Sequence, residues 1–190
     1  MPGWVWIVIA AAVVVAVVAV VAAVSARSVR SKRLREGFGP EYERTVAEHG
    51  DRREAESELR ERRKQREQLE IRPLSQPARE RYTEEWRRVQ ARFVDDPAGA
   101  VQEGDRLVTE VMGERGYPMD DFERQAALVS VDHPDVVEHY REGHSAYLAF
   151  DRGDASTEDL RLAMKHYRAL FEELLADGQP AATRSTEQVR

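Results

Sequence analysis

The chain has 190 residues, a formal net charge of −6 and no cysteine, so it is neither a disulfide scaffold nor a thiolate metal protein. Arginine outnumbers lysine 26 to 3, and the charge is unevenly placed: residues 27–92 carry 19 basic against 14 acidic side chains, residues 95–159 five against 17. The acidic distal part excludes a nucleic-acid binder, which needs cationic surface to displace counterions.

Residues 1–25 predict a transmembrane helix. Residues 4–24 are 21 positions without a charge, almost all Val, Ala and Ile. At ~1.5 Å per residue they span about 31 Å, the thickness of a bilayer's hydrocarbon core. Trp4 and Trp6 sit at one end, where amphipathic rings favour the headgroup layer, and Arg27, Arg30, Lys32, Arg33 and Arg35 follow the other. These seven residues are the expected membrane-interface set. Basic flanks stay cytoplasmic, so the N-terminus is expected outside and the soluble domain in the cytoplasm. The alternative is a secreted helical protein cleaved near Val24-Ser25-Ala26; the apolar run exceeds a ~7–15-residue signal core, and no basic segment precedes it. Ala12, Ala16, Ala19 and Ala23 share one helix face, a route to homo-oligomers through small-residue packing.

Residues 26–40 read as a basic juxtamembrane link, broken by Gly37-Phe38-Gly39-Pro40. Residues 41–70 read as one charged helix or stalk, with Gly50 its weak point and Glu56–Arg60 and Glu58–Arg62 as i,i+4 pairs. Pro73 and Pro77 bracket a linker over 71–77, where the main boundary is expected.

Residues 78–176 predict an all-α, four-helix-type bundle. Tyr82, Trp86, Val89 and Phe93 mark the first apolar face. Asp96-Pro97 opens a second helix, which carries Val101, Leu107, Val108, Val111 and Met112 and stops near Gly116. A short helical piece bears Phe122, Ala126, Leu128 and Val129. Asp132-His133-Pro134 is expected to start the third long helix, with Val136, Val137, Tyr140, Tyr147 and Leu148 inward. Ser156 and Asp159 resemble a capping box for the fourth, whose stripe is Leu160, Met164, Tyr167, Phe171 and Leu174. No segment alternates with period two, so no sheet is expected. Residues 177–190 read as a disordered tail.

The segment Phe38-Gly39-Pro40-Glu41-Tyr42-Glu43-Arg44-Thr45-Val46, just after an apolar run, resembles the FGPEYDR-type opening of a family of small actinobacterial membrane or secreted proteins. Arg72-Pro73-Leu74, Trp86 with Gln90 and Phe93-Val94-Asp95, Gly116-Tyr117-Pro118 and Ser130-Val131-Asp132-His133-Pro134 extend the likeness over most of the chain after the anchor. The resemblance implies an actinobacterial origin; it implies no activity, cofactor or site.

No nucleophile elbow, Walker loop or dinucleotide fingerprint appears, so no catalytic residue and no cofactor are expected. His139, Glu142 and His144, with Glu138, are the weak metal candidates. His139 and Glu142 are spaced i,i+3 and share a face, but a metal needs further ligands from a second helix. His133 reads as an N-cap neighbour and His166 as packing or surface. The sequence therefore predicts a single-pass membrane-anchored helical interaction or scaffold protein. Its expected partners are the lipid bilayer and a protein of unknown identity. The alternative is a metal-dependent enzyme using the His139/Glu142/His144 face.

Overall fold

The computed structural model describes residues 28–154 and 156–176, with positions 18, 21, 22 and 25. The expected membrane segment with Trp4, Trp6, Ala12, Ala16, Ala19 and Ala23, the cleavage site at Val24-Ser25-Ala26, Arg27 and the tail lie outside the described residues or depend on residues that do. Among the described residues every regular element is helical, and no helix is long and apolar enough to cross a membrane. The chain divides into two compact units, Met1–Leu59 and Arg60–Arg190.

The first unit begins with helix α1, continuous over residues 28–38. Ser31, Leu34 and Phe38 are its buried positions, at the 3- and 4-residue spacing of one helix face. The expected break falls later than Gly37: both Gly37 and Phe38 stay helical, and the chain turns at Gly39, with Pro40 opening α2 (Pro40–His49). Residues 41–70 are two helices rather than one. Gly50 ends α2 in the left-handed conformation, its N–H donating to the Val46 carbonyl at 3.0 Å. Asp51 then accepts from the Arg53 and Glu54 amides, opening α3 (Arg52–Glu67).

A polar cluster runs from the buried Tyr42 and Ser31 to the exposed Arg52 in this unit. The Tyr42 hydroxyl donates to Glu56 Oε1 at 2.9 Å and accepts from Arg52 Nε at 2.9 Å; Arg52 Nε also reaches Glu56 at 3.0 Å, and Ser31 joins both. Burial pushes the Glu56 carboxyl up, but hydrogen bonds from Ser31, Tyr42 and Arg52 together hold it below its ordinary value. The FGPEYER segment is thereby accounted for locally. Phe38 and Tyr42 are buried, Gly39-Pro40 make the corner, and buried Glu41 faces Arg44 at 3.5 Å.

The division runs through α3, whose residues from Arg60 on belong to the second unit; beyond these, that unit holds five helices among its described residues: α4 (Gln76–Arg92), α5 (Pro97–Arg115), α6 (Phe122–Asp132), α7 (Val137–Asp151) and α8 (Thr157–Ala176). Helix α5 is central and packs on α4, α7 and α8; α7 and α8 form an antiparallel-type pair of consecutive helices. The expected stripes are inward: Tyr82, Trp86 and Val89 on α4, Val101, Leu107, Val108, Val111 and Met112 on α5, and Leu160, Met164, Tyr167, Phe171 and Leu174 on α8. The Trp86 ring stacks on Phe171 with centroids 4.6 Å apart.

Caps fix the helix starts. Asp96 accepts from Gly99 N at 2.9 Å with Pro97 at N1, and Asp121 accepts from Arg124 N at 2.8 Å. Ser156 and Asp159 form the expected reciprocal box, Ser156 N donating to Asp159 Oδ2 at 2.7 Å and Asp159 N to Ser156 Oγ at 3.4 Å.

The short helical piece expected after Gly116 is present as α6, with Ala126, Leu128 and Val129 in the core and Phe122 packed against it. Three further sequence expectations differ from this architecture, the first being Leu148, expected inward on α7 but 41% exposed. His133 caps the C-terminus of α6 instead of preceding the start of α7, because Pro134 opens a turn and α7 begins only at Val137. Finally, the division between units falls after Leu59 and not in 71–77. Prolines interrupt the helix there, yet the segment packs: Leu74 joins the core, and Arg72 N donates to the Arg115 carbonyl at 2.9 Å. Gly116, at φ +105°, allows this, since a Cβ there would lie 2.7 Å from the Glu70 carbonyl oxygen.

Arg115 ties the end of this unit together. It is 2% exposed, donates to the Leu174 carbonyl of α8 at 3.2 Å, and lies 3.5 Å from His133 Nε2. Beside it Tyr117 donates to Asp132 at 2.5 Å, and Arg66 pairs with the same carboxylate. Burial, then Asp132, pushes the Tyr117 phenol far above its ordinary value.

Arg115→Leu should lower the unfolding free energy in urea by roughly 1.5–3 kcal/mol, the worth of a buried charge-assisted hydrogen bond; an unchanged midpoint would show that α8 does not need this tie. A second expectation concerns acid. Because Glu56 titrates lower folded than unfolded, its contribution is complete above the ordinary value of 4.5 and is lost as pH falls through the folded value. Protection of α2 and α3 amides from hydrogen exchange should therefore fall below about pH 4.5. Glu56→Gln should flatten that dependence.

Candidate metal centre

The site grows from the way α7 meets α8. Gly143 faces the Tyr167 ring, and a Cβ on Gly143 would lie 3.2 Å from it, so only a glycine admits this separation without a shift. Tyr167 is held from behind: its hydroxyl donates to Asp105 on α5 at 2.8 Å, and its ring meets Tyr140 edge-on at 6.2 Å. Burial, then Asp105, drives its phenol far above the ordinary range, so it is a fixed donor. Tyr140 in turn donates to Gln125 on α6 at 2.7 Å.

Beside this contact three side chains converge: Glu142 and His166 precede Gly143 and Tyr167 directly, and His139 lies one turn before Gly143. His139 Nδ1 lies 3.0 Å from His166 Nδ1, with ring centroids 5.0 Å apart. Glu142 Oε2 lies 3.5 Å from His139 Nδ1 and 3.2 Å from His166 Nδ1. Each residue offers one ligand atom, and all three atoms fall within 4.8 Å of one another. His166 is the most sheltered, at 17% side-chain exposure, with His139 at 43% and Glu142 at 49%. Burial lowers the His166 imidazole below its ordinary value; Glu142 opposes this and His139 adds to it.

Two of the expected candidates are thus brought together and the third is not. His144 stacks on Phe122 at 3.8 Å and sits 3.5 Å from Asp105. It lies five residues beyond His139, a rotation of roughly 140° around the helix. Glu138 pairs instead with Arg141 at 3.5 Å. His166 was legible in principle: it falls three residues after Ala163 and four before Leu170, both fully buried, so it belongs to the inward edge of α8. His133 is part of the Arg115 contact and lies 3.5 Å from Glu173. A groove lined by Gln102, Asp105, Arg106, Thr109, Met119 and Tyr147 includes none of the three converging residues.

The described interface residues Arg30, Lys32, Arg33 and Arg35 are exposed on α1, Lys32 lying 3.7 Å from Glu36 and Arg35 2.5 Å from Glu43. No protein family, curated protein or solved structure matches the chain.

Gly143→Val should cost about 1–3 kcal/mol of stability in urea unfolding, the penalty of overpacking, because the added methyl groups meet the Tyr167 ring. A Gly143→Val variant as stable as the parent would show that α7 and α8 have room to separate freely.

Proposed function

We propose that the chain is a single-pass membrane-anchored helical interaction or scaffold protein, with its N-terminus outside and its helical units in the cytoplasm. The observation that carries this reading is the uncharged run of residues 4–24 followed within 11 positions by Arg27, Arg30, Lys32, Arg33 and Arg35. The fold supports it. Of the basic residues, the four described are exposed, while Ser31, Leu34 and Phe38 face inward, so α1 offers its cations to an anionic leaflet. The acidic stretch from 95 to 159 is repelled by that leaflet, which favours a basic protein surface as its partner. The likeness to small actinobacterial membrane or secreted proteins points the same way, and the alanine face of the anchor supplies a route to self-association.

A reporter active only outside the cytoplasmic membrane, fused after Gln188, should be silent, and one active only in the cytosol should be bright. Replacing the five basic residues by glutamate should weaken or invert that pattern. An active external reporter together with a mature N-terminus at Arg27 would instead establish the secreted alternative.

A further inference from the structure

The triangle of His139 Nδ1, Glu142 Oε2 and His166 Nδ1 poses a problem in lone pairs. A proton on one imidazole Nδ1 satisfies one edge and leaves the bare nitrogen facing the carboxylate oxygen. A cation at the centre satisfies all three edges together. The edges measure 3.0, 3.2 and 3.5 Å. A tetrahedral ion with bonds of about 2.0–2.1 Å sets its ligand atoms ~3.3–3.4 Å apart, so the side chains already stand near the spacing such an ion imposes.

The donor set narrows the ion. Two imidazoles and one carboxylate suit zinc and its neighbours; calcium takes roughly six to eight oxygens at longer range, and magnesium keeps mostly water and oxygen. Two helices contribute, α7 through an i,i+3 pair and α8 through His166, which is the way bundles assemble metal sites. Half-exposed His139 and Glu142 leave the fourth corner of the tetrahedron toward solvent. Gly143 and Tyr167 fix the helix separation on which all of this depends.

We propose that His139, Glu142 and His166 bind a divalent transition-metal ion of the zinc type, three protein ligands and one water completing the tetrahedron. The site is independent of the anchor and clamps α7 to α8.

The test uses the full chain in detergent, stripped with a chelator and titrated with Zn²⁺ by calorimetry and with Co²⁺ by visible absorption. One ion per chain is expected, with the intense d–d bands of a tetrahedral nitrogen–oxygen set. His139→Ala and His166→Ala should each abolish the saturable phase and the bands. His144→Ala, on the same helix, and His49→Ala, in the other unit, should leave both intact. Far-ultraviolet dichroism establishes that each variant is folded; should His166→Ala unfold, the exposed His139→Ala carries the test alone. Absence of stoichiometric binding by the parent chain, or binding unaffected by His139→Ala, would overturn the proposal. So would loss of binding on His144→Ala or His49→Ala alone.

Discussion

The close contact between Gly143 and the Tyr167 ring governs the second unit. It sets the distance between α7 and α8, the most extensive helix pairing of that unit, and the aromatic cluster forms around it. Tyr140, Tyr167 and Phe122 pack within centroid distances of 4.8 and 6.2 Å, with Asp105 and Gln125 accepting the two hydroxyls. The polar triad occupies the same seam further toward solvent. A slight widening there would pull His166 away from both its neighbours at once. Since α7 and α8 follow each other in the chain with only a short connection, the seam closes over a small loop and needs little chain entropy to form.

Both units also bury polar groups, wholly at Arg115 and in part at the cluster that ends on the exposed Arg52, and each satisfies them differently. In the first, a serine, a tyrosine, an arginine and a glutamate bond mutually, so that no apolar replacement at one position would leave the other three content. In the second, Arg115 reaches a main-chain carbonyl at the end of α8 and the histidine that ends α6. Such arrangements add modestly to stability and strongly restrict alternative packings, because a misaligned helix would strand a buried charge. They make the register of α8 against α5 and α6 specific where leucine contacts alone would tolerate sliding.

Periodicity made α4, α5 and α8 readable, because each keeps one apolar stripe, and α5 and α8 also open on a cap legible in the sequence: Asp96, and Ser156 with Asp159. The same method found α6 as a short helix, but it placed the opening of α7 at a proline that in fact sustains a turn. Proline signals misled again at 71–77, where a broken helix was equated with a boundary although Leu74 is core. At the triad, local geometry sufficed for His139 and Glu142, which are one helical turn apart. The third member comes from another helix, 24 positions beyond Glu142, and only tertiary packing decides which histidine faces them. The sequence reading kept His144 beside that pair and took His166 as packing or surface; helical arithmetic on His144, and the buried flanks Ala163 and Leu170 of His166, were the signals it passed over, and neither could say that the two edges meet.

The stacking of Trp86 on Phe171 has an optical consequence. The chain carries three tryptophans, and Trp4 and Trp6 belong to the apolar N-terminal segment. Trp86 is 5% exposed, and its indole N–H has no hydrogen-bond acceptor among the described residues. An indole so shielded emits toward the blue, and its tight coupling to a second ring gives a strong near-ultraviolet dichroic band. With Trp4 and Trp6 replaced by phenylalanine, the remaining emission becomes a single-site gauge of whether α4 and α8 are together, read without any label.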